Sequence, residues 1–375
     1  MELLKPQYSI DFIRVTTMPL RLVEVEGDYR RRGLQFGEKC RDEIKRTLAN
    51  NYNIIEYTCG LSREKVLMRA RSIILNVTEI APDLCEEIQG IADGSSTSFE
   101  DIFILNAIPE MMRMPFGGCT VISIGEELTE NGKRITAQTV DWNPMLEDQY
   151  VILKATPEKG PTILTYTMAG LLALVGINSK GIGSFINIFL TKENITQGMP
   201  SYFILRRILE QDRVSGAISS VILQKRASPF CYTISDNDGD LYCVEALIDD
   251  YEILSDEEGV FVHTNHILTE RLRGKDIYVN VSRNPETLTR FYRVKMLLNQ
   301  VLGRKTTLGI EDVKRVLADH ANYPDSICRH QNEEITSIEG RFKTLAAIIN
   351  EQGERNILIN SGNPCQNSYI DYRLD

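Results

Sequence analysis

Helix-like and strand-like segments in this chain are sorted into blocks, and that sorting constrains its architecture more than any other feature. Residues 28 to about 93 carry apolar side chains at helical spacing, first Gly33, Phe36, Cys40, Ile44 and Leu48, then Val66, Ala70, Ile73, Val77 and Ile80. Ser62 stands where the second of these runs needs an N-cap, and residues 100–106 read as a further helix. From Cys119 the period changes. Residues 119–124 and 135–140 are short apolar runs separated by Glu130-Asn131-Gly132-Lys133, and Asn-Gly between two such runs signals a hairpin. Strand texture continues over 150–155, 162–168, 171–177 and 182–190, and a helical pair is expected over 200–224. Strands resume over 230–236, 241–247 and 259–263, helices over 285–303 and 309–319, and strands over 342–349 and 356–360. Without regular β-α-β alternation, this order predicts an α+β fold of mostly antiparallel sheets flanked by helices, as a single interwoven domain over 1–375.

Charge and composition narrow the partners. The net charge is −10, and no basic cluster exceeds Arg30-Arg31-Arg32. Nucleic acid and anionic membranes both demand a concentrated basic footprint, so neither is expected as a partner. The start, Met1-Glu2-Leu3-Leu4-Lys5-Pro6, lacks the basic, apolar and small-residue order of an export signal, and no run approaches eighteen apolar residues. A cytoplasmic protein is expected. The cysteines at 40, 59, 85, 119, 231, 243, 328 and 365 form no C-x-x-C pair, which argues against a disulfide framework and against a structural zinc site. Most of them are expected to be core thiols.

One cysteine stands apart. Gly117-Gly118-Cys119-Thr120 places a thiol directly after a glycine carbonyl at the head of an apolar strand. Glycine lets the backbone turn tightly and lets another group approach it closely. Attack of that thiol on the preceding carbonyl would break the chain and leave Cys119 as a new N-terminus, carrying nucleophile and amine together. A Cys-His pair using His263 or His320 is the competing thiol chemistry, but no papain-type or caspase-type signature surrounds Cys119. His263-Thr264-Asn265-His266 lacks zinc-protease spacing and has no Cys or His close in sequence, so no metal is expected there. Asp236-Asn237-Asp238-Gly239-Asp240 reads as a polar turn, because the further ligands of a calcium loop are missing. There is no P-loop, G-x-G-x-x-G or G-x-S-x-G.

A longer constellation runs through the chain in order. It comprises Glu87-Ile88-Gln89-Gly90-Ile91-Ala92-Asp93-Gly94, Asp101-Ile102, Leu105-Asn106, Glu110, Gly118-Cys119-Thr120 and Gln138-Thr139-Val140-Asp141-Trp142. Gly176-Ile177-Asn178-Ser179-Lys180-Gly181, His263-Thr264-Asn265-His266, Asp319-His320 and Ser326-Ile327-Cys328-Arg329-His330 follow. In that order, from about Tyr29 to the C-terminus, the chain resembles the acyl-CoA:6-aminopenicillanate acyltransferase family, grouped with the C45 self-processing peptidases, whose members are N-terminal nucleophile hydrolases.

The resemblance implies a four-layer αββα sandwich and self-cleavage between Gly118 and Cys119. The products would be an α chain, 1–118, mostly helical, and a β chain, 119–375, which stay associated. It also implies Cys119 as nucleophile, Asp141 as the active-site aspartate, Asn265 as oxyanion donor and Arg329 as a buried arginine beside the nucleophile, with no cofactor and no metal. Relatives often carry Gln-Asn before the Asp-Trp pair; Thr139 stands here instead of the Asn, which points to a different substrate if that amide contacts it. The expected partner is a small N-acyl amide or an acyl donor, and a homo-oligomer is left open. The expected activity is amide hydrolysis through a Cys119 thioester. Its alternatives are acyl transfer from acyl-CoA or an amide to an amine, and a binding protein that is never processed.

Overall fold

The computed structural model describes residues 19–112, 117–256, 259–278, 285–332, 334 and 342–375. The expectation drawn from Met1 to Pro6 lies outside them. The helical block is as expected: α1 (Tyr29–Lys39), α2 (Arg41–Cys59), α3 (Arg63–Ile80), α4 (Pro82–Ser95), α5 (Phe99–Leu105) and α6 (Ile108–Met112). Asp28 caps α1 by accepting from the Arg31 N–H, and Ser98 caps α5 by accepting from the Asp101 N–H. Ser62 does precede α3, though its hydroxyl makes no capping bond.

Helices α1 and α4 pack closely enough that their contact tolerates only glycine. A β-carbon on Gly33 would lie 2.0 Å from the Glu87 carbonyl oxygen, and one on Gly90 would lie 2.3 Å from that of Arg30. Gly37 and Gly94 meet the facing backbone in the same way. The glycine that repeats in the apolar stripe of α1 is therefore an approach point for a neighbouring helix. Beneath it, Glu87 is buried between Arg32, at 3.0 Å, and Arg206, at 2.8 Å.

Two sheets form the centre. The eight-stranded sheet runs β1-β4-β5-β6-β7-β8-β9-β10 and the six-stranded sheet β11-β2-β3-β12-β13-β14. In the first sheet these are β1 (Leu22–Gly27), β4 (Tyr150–Pro157), β5 (Ile163–Met168), β6 (Val175–Asn178), β7 (Gly183–Asn187), β8 (Phe230–Ser235), β9 (Leu241–Ala246) and β10 (Tyr251–Leu254). In the second they are β2 (Gly118–Ile124), β3 (Ile135–Trp142), β11 (Val260–His263), β12 (Lys343–Glu351), β13 (Asn356–Ser361) and β14 (Tyr369–Arg373). Every pairing is antiparallel except β1 with β4.

Alternation along β2 sets the layers. Ile122 and Ile124 pack with Val294, Leu298, Val313 and Val316, which come from α10 (Glu286–Leu302) and α11 (Ile310–Leu317), the helices that follow the single turn α9 (Glu270–Arg273). Val121, on the other face, joins the core shared with the eight-stranded sheet. The far side of that sheet is covered by α7 (Ser201–Leu209) and α8 (Val214–Ile222). The order is helices, sheet, sheet, helices: an α+β four-layer αββα sandwich. With both faces covered, strands such as β2, β3 and β5 are buried along their whole length.

Four strands differ from the sequence expectation, and the expected hairpin forms with a longer connection than Asn-Gly alone would give. Asn131-Gly132 does lie between paired strands, but in a ten-residue connection, 125–134, that includes a 3-10 turn over Glu126–Leu128, so it is no two-residue hairpin. The run 171–177 is strand only from Val175. Edge strands β1, β10 and β14 were not expected: β10 and β14 alternate poorly and are half exposed, so they lack an apolar signature. The Asp236 turn is as read, its carboxylate accepting from the N–H groups of Asp238 and Asp240.

Candidate active site

Pairing register brings the expected residues to one peptide bond. On β3, Asp141 lies directly opposite Gly118. On β11, His263 faces Val121, so the strand's continuation two residues later sets Asn265 beside Cys119. The Cys119 N–H donates to Asn265 Oδ1 at 3.0 Å. On β12, Thr344 lies opposite Asp141, donates its hydroxyl to Asp141 Oδ1 at 2.8 Å and accepts the Arg329 N–H at 2.9 Å. Arg329 is thereby pinned to the same strand that holds Asp141. A β-carbon on Gly118 would sit 3.2 Å from Asp141 Oδ2 and 3.3 Å from Arg329 Nη1, a tight contact that these charged ends would have to ease by a few tenths of an ångström. Gly117, at φ +99°, would drive a β-carbon to 2.2 Å from the Trp142 ring. Of the two glycines before the thiol, Gly117 is the one that contact and backbone conformation require.

Sequence reasoning did not reach several neighbours. Arg290, on α10, donates to the Cys119 carbonyl at 2.8 Å, to Thr120 Oγ1 at 2.8 Å and to Asn265 Oδ1 at 2.7 Å. Asn187, at the end of β7, adds a second donor to the Cys119 carbonyl at 3.2 Å. Glu286 sits 3.6 Å from Arg290 and 3.5 Å from Arg329, where α10 begins and a carboxylate suits the helix dipole. The Tyr278 hydroxyl lies 3.1 Å from Glu286 Oε1 and 3.2 Å from the Gly117 carbonyl. The one signal for the α10 pair was an acid and an arginine four apart, which on its own reads as a solvated helix face.

Burial dominates the electrostatics. It pushes the Cys119 thiol up to about 12, and the charge of Asp141 adds to the rise; Arg290, the Gln138 amide and the Asp141 backbone N–H oppose it. Burial likewise raises the Asp141 carboxyl, against the pull of Arg290 and Arg329. Burial alone would lower Arg329, but Asp141, Glu286 and Asp325 outweigh it and the guanidinium is raised. Among the described residues, buried Asp141 Oδ2 and Glu286 Oε2 and the Arg290 Nε have no hydrogen-bond partner. Such unspent capacity in a core calls for an explanation, and a reacting group supplies one.

In the intact chain both ends of the Asn265 amide are occupied. Asn265 turns its oxygen to Cys119 and Arg290, both of them donors, while its Nδ2 is committed to the Ile188 carbonyl at 2.9 Å. Ile188 lines a cavity of about 440 Å³ together with Trp142, Pro109, Met112, Phe189 and Phe230. The cavity touches the junction through Trp142, whose indole N–H is buried and unpartnered among the described residues.

The competing histidines are engaged elsewhere. His263 is buried, with Nδ1 2.8 Å from the Thr264 carbonyl and Nε2 3.0 Å from Glu245 Oε1. His320 lies in a cluster with His330, their Nε2 atoms 3.1 Å apart. Neither ring serves Cys119, so the Cys-His alternative fails on geometry. The expectation that His263 has no Cys or His near it holds only along the chain: Cys231 and Cys243, on β8 and β9, close around it in space. No helix among the described residues is long and apolar enough to cross a membrane.

A family model described as acyl-coenzyme A:6-aminopenicillanic acid acyl-transferase matches residues 128–366, a span that includes Asp141, Asn265 and Arg329 and begins after Cys119. The acyl-coenzyme A:6-aminopenicillanic-acid-acyltransferase 40 kDa form of Emericella nidulans is 26% identical over 336 residues, 88% of this chain and 90% of its own. The Dictyostelium discoideum protein dcd1B is 23% identical over 210 residues, 54% of this chain and 41% of its own. Among solved structures, the conjugated bile acid hydrolase of Clostridium perfringens aligns with a TM-score of 0.46 at 13% identity, covering 68% of this chain and 97% of that one. Penicillin V acylase from Agrobacterium tumefaciens aligns with a TM-score of 0.43 at 13% identity, over 65% and 82%.

Proposed function

Because the chain belongs to the acyl-coenzyme A:6-aminopenicillanic acid acyl-transferase family, we propose that it is a self-processing cysteine N-terminal nucleophile enzyme that opens small N-acyl amides through a Cys119 thioester. The observation that carries this reading is the setting of the Gly118–Cys119 peptide. Its flanking groups are a buried thiol, an unpartnered carboxylate oxygen and two buried guanidiniums, with an apolar cavity alongside.

In processing, Cys119 Sγ adds to the Gly118 carbonyl carbon, the C–N bond breaks, and the thiol proton ends on the departing nitrogen. Water then hydrolyses the Gly118 thioester, releasing a carboxylate and restoring the thiol. Asn265 Oδ1 already accepts from the nitrogen that becomes the α-amine, so it holds that amine in place as it forms. An α-amine titrates near 7.7–8, within reach of neutral pH, whereas the buried thiol does not ionise unaided. The amine therefore takes the thiol proton as the thiol attacks the substrate amide, and returns a proton to the leaving amine. Arg290 and Asn187 hold the Cys119 carbonyl, and Asp141 with Arg329 sets the charge around the nucleophile. The Asn265 amide, released from Ile188, is the donor we assign to the developing oxyanion.

The cavity selects an apolar acyl group, with the Trp142 side chain in its wall. Strand β1, N-terminal to the cut, pairs with β4 beyond it, which keeps chains 1–118 and 119–375 together. The acyl group is tested by incubating processed protein with N-acyl amides of graded chain length, following amine release and the mass of the β chain. A transient acyl adduct at Cys119, with turnover rising with apolar chain length, is expected. Turnover without an adduct, or equal turnover by Cys119→Ser, would overturn it. Faster consumption when an amine replaces water as acceptor would assign transfer as the physiological direction.

A further inference from the structure

Away from the junction, His320, Cys328, His330 and Cys365 bring one ligand atom each within 4.8 Å of all the others. Three belong to the irregular segment after α11, and Cys365 to the loop between β13 and β14. We propose that these four side chains form a closed tetrahedral site for one zinc ion.

The argument is first geometric. With zinc–sulfur bonds near 2.3 Å and zinc–nitrogen bonds near 2.0–2.1 Å, the edges of a tetrahedron are about 3.8 Å for two sulfurs, about 3.6 Å for sulfur and nitrogen, and about 3.3 Å for two nitrogens. Here the sulfurs of Cys328 and Cys365 lie 3.6 Å apart and the Nε2 atoms of His320 and His330 3.1 Å apart. His330 Nε2 lies 3.6 Å from the Cys328 sulfur and 3.4 Å from that of Cys365. All four separations match those edges to within about 0.2 Å.

The second argument is one of valence. His330 Nε2 faces three partners at once. A neutral imidazole nitrogen offers either one proton or one lone pair, so hydrogen bonds cannot satisfy all three. A cation at the centre satisfies every ligand atom together. Binding releases the two thiol protons, and two thiolates neutralise the divalent charge. Asn363 Nδ2 donates to the Cys328 sulfur at 3.5 Å and to the Arg329 carbonyl at 2.7 Å, an outer contact of the kind that orients ligands.

Sequence spacing had argued against a structural zinc site because it shows no C-x-x-C pair. The residues instead follow H-x7-C-x-H-x34-C, and only folding of β13 and β14 closes the set. Cys328 and His330 flank Arg329, so the metal staples the segment that delivers this arginine to Gly118. The site stands whether or not the Gly118–Cys119 bond is cut.

The test is to express the full chain in zinc-supplemented medium, purify it under reducing conditions and count its metal by plasma mass spectrometry. About one zinc per chain is expected, falling close to zero in the double variant His320→Ala/Cys365→Ser, while Cys231→Ala keeps it. His320 is exposed and Cys365 half-buried, so neither substitution empties the core. Exchange of the wild-type metal for cobalt should give intense visible bands with thiolate charge transfer, a readout independent of any variant. A wild-type protein without stoichiometric zinc and without that cobalt spectrum would overturn the proposal. So would a double variant that keeps its zinc, or a Cys328–Cys365 disulfide in protein prepared under reduction.

Discussion

Asn265 shows how much one side chain does at the junction. Its single oxygen accepts from both the Cys119 nitrogen and Arg290, so it ties the bond to be broken to the guanidinium that holds the next carbonyl. Hydrogen bonds to charged groups contribute about 1.5–3 kcal/mol, which corresponds to about 10- to 160-fold in rate. Asn265→Ala should therefore slow processing by about that factor, measured as the decay of the full-length band in a time course of freshly synthesised protein. Processing at the wild-type rate would show that the nitrogen needs no acceptor. Asn265 was singled out only through the family resemblance, and nothing along the sequence separates Arg290 from Arg293. Their parts are set by the β2–β11 register and by the face of α10 turned to the sheet, which only the tertiary fold fixes.

At the scale of elements, α1, α4 and α7 meet around Glu87, buried between Arg32 and Arg206. Glu87→Gln keeps the shape but leaves buried Arg32 without its counter-charge and Arg206 with Glu210 alone, at 3.0 Å. Breaking a buried pair in this way costs about 3–5 kcal/mol. The expected outcome is a large fall in thermal midpoint by calorimetry, and an unchanged midpoint would mean that water reaches these arginines. Periodicity made the helices themselves legible, because Phe36, Cys40 and Ile44, or Val66, Ala70 and Ile73, repeat over several turns. It set Gly33 on the stripe of α1 but was silent about Gly33 and Gly90 as contact points, since spacing does not say which positions meet a neighbouring backbone. Edge strands β10 and β14 escaped for a related reason: half-exposed strands mix polar and apolar residues without rule.

Across the whole molecule, the two sheets are also joined by charge. His263 on the six-stranded sheet pairs with Glu245 on the eight-stranded one. Burial opposes a charged ring, but Cys243 and Glu245 outweigh it and raise the His263 pKa. A raised folded pKa gives stability that is full below the unfolded value of about 6.5 and is lost as pH climbs through the folded value. His263→Gln should then lower the thermal midpoint more at pH 6 than at pH 9 in paired melts. An equal drop at both would assign the histidine a packing role alone. The layered order was legible because strand blocks lay between helical blocks, whereas the meeting of His320, Cys328, His330 and Cys365 depended on how the last hairpin folds back.

The account turns on one covalent event, and the intact mass of the purified protein tests it most directly. Two polypeptides are predicted, residues 1–118 and 119–375, co-eluting under native conditions, with the second beginning at Cys119. Cys119→Ala should stay a single chain of 42.6 kDa, less the sulfur. A wild-type protein that stays whole yet opens N-acyl amides as fast as any processed sample, or one cut at another bond, would contradict it.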